Sequence, residues 1–537
     1  MSNRDLRTGL ARSTAAVALP TLGSRVLGWF RDVLLAYFLG TGDAADAFTI
    51  AFTIPNLFRR LTGEGALSAS FVPVYVEAGR SGDRDRPARL AGRVFSIAAS
   101  ALALFTVLGV LFAPRLVRVI AFGFRNLAGK TELTVAMTRV MFPYILFISL
   151  AALVSAALNA EGRFFLPAAH PIAFNLALIG AALLWAGRSR EPAFVFAAAV
   201  LAGGVLQLLV QLPAMKRAGV RFKAGFSTPN PDAAQVGRLL LPGILGVSVY
   251  QINFAASRVI ASGLESGSAS ALYYSSRVEE LALGLFSIAL SVALLPHFSE
   301  RAAAADLEGM RNTLGFSLKL STLVSVPAAA GLAALSGPVI KVLFERGVFD
   351  ARSSELSSAC LFYFALGLPF ISAVKVIAPA FFSLKDTRTP VLAGVAVIAV
   401  NVVLCLWLAG PLRVAGVALA LSLSQALNFV VLFAVVQSRV GSLAGKAVGP
   451  TALKASVASL VMGLTVRAAY LRFEDGGRPL VFQAGLLGAV VAAGVLLYGL
   501  VMSLLAPADA RKLRMLLAAS FGRRRQETDS RRTGEKP

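Results

Sequence analysis

Long apolar segments separated by short polar linkers run from near residue 13 to near residue 506. A helix needs about 20 apolar residues to cross a bilayer. About eleven segments satisfy that requirement easily: 94–113, 140–158, 172–187, 193–213, 280–298, 317–336, 359–383, 390–409, 414–436, 452–471 and 479–506. Three more, 13–40, 44–78 and 234–263, are long enough but carry charge. The pattern predicts an all-α polytopic membrane protein with about fourteen transmembrane helices.

The chain also repeats itself weakly, at a common offset of about 225 residues. The matched residues follow one another in the same order in both copies: Gly42 and Ala44 with Gly267 and Ala269, Pro143 with Pro369, Arg163 with Arg388, and Asn175 with Asn401. A copy with an even number of helices inserts the same way round as its partner. The repeat therefore predicts two parallel six-helix lobes, followed by two C-terminal helices.

This reading divides the chain into six regions. They are a cytoplasmic N-terminus (1–12), an N-lobe of helices 1–6 (13–215), a cytoplasmic linker (216–233), a C-lobe of helices 7–12 (234–438), two further helices (450–506) and a basic cytoplasmic tail (507–537). The assignment places the basic linkers and both termini on the cytoplasmic side, as the positive-inside rule favours. The exception is 114–139, an outer linker with five basic residues, which we expect to be an amphipathic surface segment.

Composition narrows the possible classes of protein. Of all residues, 57% are hydrophobic and only 15% are charged, with a mean hydropathy of +0.73, so an ordinary soluble globular protein is excluded. The net charge of +24 indicates attraction to anionic headgroups and suits an anionic substrate. Cys360, Cys405 and the two histidines offer no disulfide framework and no metal site. The chain contains no P-loop, so an ATP-driven motor is not expected.

Ionised side chains inside spanning helices cost roughly 2.5–3.5 kcal/mol each and usually face a cavity or a partner. Here they cluster in predicted helices one, two, seven and eight: Arg25, Arg31 and Asp32; Asp46, Arg59, Arg60 and Glu64; Arg258; and Arg277, Glu279 and Glu280. By the repeat, helices one and two correspond to helices seven and eight. We expect these equivalent elements to face each other around a central cavity, with Lys375 of helix ten as a further candidate.

The excess of arginine in this set indicates the chemistry of the substrate. Guanidinium groups bind phosphate and pyrophosphate bidentately, so a basic cavity in an apolar protein favours a phosphorylated lipid. Structural readings stay open: Arg25 can pair with Asp32, and Arg59 or Arg60 can extend to the headgroups. A drug and cation antiporter would need an acidic cavity. A membrane enzyme acting on a lipid pyrophosphate remains an alternative.

Several motifs resemble the MurJ/MviN family over roughly residues 13–440. The first two helices carry the most specific ones: Ser24-Arg25-Val26-Leu27-Gly28, Phe30-Arg31-Asp32, Ala45-Asp46-Ala47-Phe48, Ile54-Pro55-Asn56-Leu57-Phe58-Arg59-Arg60 and Gly63-Glu64-Gly65-Ala66. Later motifs follow in order: Phe142-Pro143-Tyr144-Ile145, Tyr273-Tyr274 with Arg277, Val374-Lys375-Val376 and Asp386-Thr387-Arg388-Thr389-Pro390. Charged residues at fixed spacing inside apolar helices rarely recur by chance.

The resemblance implies a lipid II flippase, which moves the undecaprenyl-pyrophosphate-linked peptidoglycan precursor across the bacterial inner membrane during cell-wall biogenesis. It implies the fold of the multidrug/oligosaccharidyl-lipid/polysaccharide exporter superfamily, with a lipid-tail groove at the last two helices. The family's cavity arginines match Arg25, Arg31, Arg59 and Arg277, which would bind substrate. The other matching positions, Asp32, Asp46, Arg60 and Glu64, would be charge partners or gating residues, and Arg258, Lys375 and Asn401 are further candidates. Three alternatives remain: a flippase for another lipid-linked oligosaccharide, a membrane enzyme acting on polyprenyl pyrophosphates, and a scaffold for cell-wall synthesis.

The sequence also departs from the family pattern. Many relatives have an acidic residue before the helix-eight arginine, where this chain has Ser276. Some members are thought to bind sodium through carboxylates on helices seven and eleven. Ser257 and Cys405 occupy those places, and Asn401 keeps an amide oxygen. We therefore expect no cofactor and no sodium coupling. The membrane potential, worth about 2.3 kcal/mol per elementary charge per 100 mV, is a hypothesis for the energy source, and the cell-wall synthesis machinery is a candidate partner.

Overall fold

The structure is a computed structural model that describes residues 3–61, 67–83, 85–127, 129–219, 230–442, 448–474 and 479–507. Within these ranges the chain is helical, and no strand occurs in them. The helices are α1 (Asn3–Leu39), α2 (Asp43–Leu61), α3 (Leu67–Arg80), α4 (Arg86–Leu111), α5 (Ala113–Ile120), α6 (Lys130–Met141), α7 (Tyr144–Ala160), α8 (Phe165–Leu184), α9 (Pro192–Leu209), α10 (Leu212–Arg217), α11 (Pro231–Ala261), α12 (Ser268–Ala303), α13 (Leu307–Ala334), α14 (Ser336–Phe344), α15 (Ala351–Ser383), α16 (Arg388–Val440), α17 (Gly449–Phe473) and α18 (Leu480–Leu505).

Every predicted transmembrane segment coincides with a helix, which confirms the all-α polytopic fold. Three segments differ in detail from the prediction. Segment 44–78 contains two described helices, α2 and α3, and residues 62–66 between them lie outside the described residues. The segments predicted at 390–409 and 414–436 form the long helix α16, which is broken at Arg413, where φ is 51° and ψ is −134°. Pro411 precedes this break and cannot continue a regular helical hydrogen-bond pattern.

Nine helical segments in the described part of the chain are long and apolar enough to cross a membrane. They include 388–440, which combines two predicted spans. The four helices on which the sequence concentrates its unusual charges, α1, α2, α11 and α12, are not among the nine. The chain is thus a multi-pass membrane protein whose predicted site charges lie mainly outside these nine segments.

The predicted surface segment 114–139 contains α5, a short 3-10 turn (Phe122–Asn126) and most of α6. Its arginines, Arg115, Arg118, Arg125 and Arg139, are exposed as expected. The prediction is wrong for Lys130, which is only 3% exposed. Burial of this lysine is explained by two carboxylates that lie beside it, as described below.

Two compact units emerge from the contacts within the chain. The first comprises Met1–Arg277, Leu343–Ser357 and Gly394–Ala420. One of its cores joins α3, α4 and α7 to the start of α11, where Val236 belongs to the same buried cluster as Phe71 and Leu90. The predicted boundaries of the six regions stay predictions.

The second unit comprises Val278–Val342, Ser358–Ala393 and Leu421–Pro537. One of its cores surrounds Phe298 and Phe381, and another joins α13 to α17 and α18. Helices in lipid associate through close packing of small residues. Gly463 of α17 lies against Ala330 of α13, and the Tyr498 hydroxyl of α18 donates to the Leu323 carbonyl at 3.0 Å.

Candidate functional site

A buried carboxylate on α1 forms the centre of the arginine cluster. Asp32 is 4% exposed, and its Oδ1 accepts hydrogen bonds from Arg31 Nε and Nη2 at 3.0 and 2.8 Å. The Tyr273 hydroxyl donates to the same oxygen at 2.9 Å, and Arg277 Nε lies 3.9 Å from Oδ2. The predicted contact between the charged helices α1 and α12 is therefore present. Two guanidinium groups share one carboxylate here, so these three ionised groups carry a net positive charge.

The side-chain amide of Asn175 binds the third guanidinium nitrogen of Arg31, Nη1. Arg31 Nη1 donates to Asn175 Oδ1 at 2.9 Å, and Asn175 Nδ2 donates to the Ser24 carbonyl at 2.9 Å. The Arg31 guanidinium also lies 5.7 Å from the centre of the Phe174 ring, and that of Arg277 lies 4.7 Å from the Tyr273 ring. Sequence reasoning missed Asn175 as a site residue. The available signal was its place in an apolar helix, where a buried amide needs a partner.

The remaining arginines of the predicted site lie on α1 and α2. Arg25 is exposed on α1, and Arg59 and Arg60 are half-buried in the last turn of α2. Arg59 Nε and Nη2 donate to Asn56 Oδ1 of the same helix at 3.1 and 3.0 Å. A cavity of about 590 Å³ opens among α1, α3, α7 and α8, and Thr21, one helical turn from Arg25, lines it.

The other candidates are divided between the units. Arg258 of α11 is 4% exposed and donates from Nη1 to Thr53 Oγ1 of α2 at 3.4 Å. Its guanidinium also lies 5.5 Å from the Tyr273 ring, which places it at the edge of the Asp32 cluster. Lys375 is half-buried on α15 in the second unit. Glu64 lies outside the described residues.

A second buried cluster joins the starts of α2 and α12. Asp46 is 1% exposed, and its carboxylate accepts hydrogen bonds from the backbone N–H groups of Gly267 and Ser270 at 2.8 and 2.9 Å. The Ser270 hydroxyl donates to it at 2.8 Å. Lys130 Nζ lies 2.9 Å from the same carboxylate. A carboxylate is stabilised at a helix N-terminus by unpaired N–H groups and the helix dipole, so Asp46 connects two helices that the repeat makes equivalent.

Three polar residues that the resemblance relates to sodium binding do lie together. Asn401 Nδ2 donates to Ser257 Oγ at 2.9 Å, and Cys405 Sγ lies 3.7 Å from Ser257 Oγ and 3.6 Å from Asn401 Oδ1. All three are at most 1% exposed. None carries a carboxylate, and across the described ranges no group of three or more His, Cys, Asp and Glu side chains is placed to hold a metal ion.

An ion pair connects the starts of α4 and α11, outside the predicted membrane spans. Arg86 Nε and Nη2 each lie 2.8 Å from an oxygen of Asp232, in bidentate geometry. The hydrogen bonds and charge of Arg86 lower the pKa of the Asp232 carboxyl. Asn230 caps the same helix by accepting from the N–H groups of Asp232 and Ala233 at 2.9 and 3.1 Å. The first turn of α11 is thus fixed to α4.

Solved structures identify the class of fold. A structure described as "Lipid II flippase MurJ, inward closed conformation" superposes with a TM-score of 0.75 at 27% identity, covering 91% of this chain and 98% of that one. An inward-facing MATE multidrug transporter superposes with a TM-score of 0.63 at 14% identity, covering 78% of this chain. The fold, together with buried charges on otherwise apolar helices, defines a polytopic membrane transporter.

Sequence comparison narrows that class to one family. Residues 35–476 match the profile described as "Lipid II flippase MurJ". The probable lipid II flippase of Rhizobium tropici is 34% identical over 512 residues, covering 94% of this chain and 96% of that protein. The lipid II flippase of Burkholderia cenocepacia is 35% identical over 428 residues, covering 79% of this chain and 83% of that protein. The chain belongs to the MurJ family, which confirms the resemblance.

Proposed function

We propose that this protein is a flippase that carries lipid II from the inner to the outer leaflet of the bacterial cytoplasmic membrane by alternating access. Membership of the MurJ family supports lipid II as the substrate. The buried cluster of Arg31, Asp32 and Arg277 carries the proposal, because it supplies more guanidinium than carboxylate in a region of low dielectric constant.

In this mechanism the pyrophosphate of the substrate competes with Asp32 for the guanidinium groups. Arg31 presents Nε and Nη2 to Asp32 Oδ1, and the same pair of donors fits two oxygens of a phosphoryl group. Arg277 contributes charge from α12, and Arg25 and Arg59 contribute it from α1 and α2. Transfer of Arg31 from Asp32 to the substrate changes the contacts between α1 and α12, so binding can favour one conformation over another.

In this mechanism Asp46, which caps α12 from α2, holds a closed conformation. Alternating access requires this contact to be made in one state and broken in the other. Under the predicted topology both termini are cytoplasmic, so the Asp46 contact lies at the outer end of the protein. The prenyl chain of the substrate stays in lipid beside α17 and α18. Asp32, Asp46 and Glu64 are then the carboxylates whose ion pairs form in one state and break in the other. The cell-wall synthesis machinery receives the transported lipid II.

The energy source is the membrane potential rather than sodium. Ser257, Asn401 and Cys405 form a neutral, hydrogen-bonded group in place of a carboxylate site. An inside-negative potential favours outward movement of an anionic headgroup by about 2.3 kcal/mol per charge per 100 mV. Flipping that continues unchanged after the potential is collapsed would contradict this coupling.

The test uses cells depleted of their own flippase and supplied with this protein. An added enzyme that cleaves lipid II only at the outer face reports the exposed fraction. We expect cleavage with the wild-type protein and protection with Arg31→Ala at equal amounts of protein in the membrane. Arg115→Ala, which removes an exposed arginine of α5, is the matched control and should behave as wild type. Full cleavage with Arg31→Ala would overturn the proposed site.

A further inference from the structure

The segment at residues 113–141 packs against both helices that Asp46 connects. Val117 of α5 and Phe124 of the 3-10 turn share one buried cluster with Ile50 of α2 and Ala269 of α12. These residues are at most 1% exposed. We call residues 113–141 the bridging segment, because it contacts two helices that lie far apart in the sequence.

The 3-10 turn of the bridging segment also approaches the backbone directly after α11. A Cβ atom added at Gly123 would overlap the Cα of Gly263 and the carbonyl oxygen of Ser262. The two chain segments can only come this close because residue 123 has no side chain. This backbone contact is independent of the charged groups and places the bridging segment against the connection that leads into α12.

Lys130 brings positive charge into the centre of this junction. Its Nζ lies 2.9 Å from Asp46 Oδ2 and 2.8 Å from Asp43 Oδ1, and 4.3 Å from the centre of the Phe124 ring. Removing one partner of such a buried ion pair is strongly destabilising, because the other charge is left without compensation. The lysine side chain and the start of α12 together fix both oxygens of Asp46.

We propose that Lys130 is a positioning residue for the transport cycle: it holds the Asp46 carboxylate over the start of α12, and the bridging segment thereby keeps α2 and α12 joined in the closed state. Opening of the outer end of the protein then requires the ion pair of Lys130 and Asp46 to separate from the start of α12. The role in transport rests on the proposed flippase function, but the effect on closure does not.

The experiment measures closure at a neighbouring contact that contains none of these charges. Thr41 Oγ1, just after α1, lies 2.8 Å from Ser353 Oγ of α15, so cysteines at both positions should form a disulfide when this end is closed. Both native cysteines are fully buried and should not compete. In membranes, and compared at equal amounts of folded protein, Lys130→Met should slow disulfide formation about tenfold, a change of 1.4 kcal/mol. Arg139→Met, at an exposed arginine of the same helix, should have no effect.

A second variant guards against misfolding of Lys130→Met. Lys130→Met combined with Asp46→Asn removes both charges, and the amide oxygen can still accept from the start of α12. We expect this pair to restore both folded protein and part of the disulfide rate. Wild-type disulfide formation in Lys130→Met, or no recovery in the double variant, would overturn the proposal. The readout uses no lipid II, so failure of the flippase assignment would leave its result unchanged.

Discussion

Paired substitutions at Arg31 and Asp32 can separate a structural role of the arginine from a role in transport. Arg31→Gln removes the guanidinium, Asp32→Asn removes the carboxylate, and the double variant replaces the ion pair by two neutral amides. If Arg31 serves only to neutralise Asp32, the double variant should regain both stability and transport. If Arg31 binds the substrate, the double variant should regain stability alone.

The structure sets the expected magnitudes. Asp32→Asn replaces the charged acceptor of two hydrogen bonds from Arg31 and one from Tyr273 by a neutral amide oxygen. Breaking a buried pair costs about 3–5 kcal/mol. The Arg31 side chain is 15% exposed and keeps its bond to Asn175, so we expect the lower end, about 3 kcal/mol. Arg31→Gln should cost about 1.5–3 kcal/mol, since Asp32 keeps its bond from Tyr273. The double variant should recover about 1–3 kcal/mol of the summed loss.

Two assays applied to the same variants decide between the roles. Reversible unfolding of the purified proteins gives the coupling free energy, and cleavage of lipid II at the outer face of depleted cells gives transport. We expect positive coupling together with transport that stays at background in the double variant. Wild-type transport by the double variant would refute substrate binding by Arg31. Additive stability effects, within about 0.5 kcal/mol, would refute the ion pair itself.

Three further predictions concern other parts of the molecule. Because Arg86 lowers the pKa of Asp232, their ion pair stabilises the folded protein at pH values above the ordinary carboxyl pKa. This stabilisation is lost as the pH falls through the lowered pKa. The free energy of unfolding below about pH 4 should therefore contain a pH-dependent contribution that is absent in Asp232→Asn. Gly347→Ala should lower the yield of folded protein, since φ is +63° and the new Cβ would overlap a backbone oxygen of α1, whereas Gly337→Ala, with no atom within 4 Å, should not. Ser257→Asp should make the melting temperature rise with sodium but not with potassium. A rise of the melting temperature of the wild-type protein with sodium would contradict the neutral site.

Periodicity and charge together predict most of the fold, because bilayer thickness fixes the length of an apolar helix. The charged helices are predictable for a related reason: ionised groups in such helices need partners. Arg31, Asp32 and Arg277 were accordingly singled out from the sequence, and the structure brings them together.

Residues whose role depends on a distant partner could not be predicted in this way. Lys130 lies between exposed arginines in a segment whose local pattern indicates a surface, and only Asp46, far away in the sequence, explains its burial. Asn175 is likewise one polar residue in an apolar helix until Arg31 is placed beside it. The break at Arg413 depends on the turn that the chain makes there, which hydropathy alone does not distinguish from a loop.

The two copies of the repeat differ in charge at one equivalent contact between helices. In the first copy, Asn175 bonds to Arg31 beside the carboxylate of Asp32. In the second, the equivalent Asn401 bonds to Ser257, which stands at the position equivalent to Asp32. The same pairing of helices is therefore charged in one copy and neutral in the other. A transporter with two such charged sites would bind two anions or hold two sets of buried ion pairs, each costly to desolvate. One charged copy is sufficient for a substrate with a single pyrophosphate, while the neutral copy can preserve the packing without that cost.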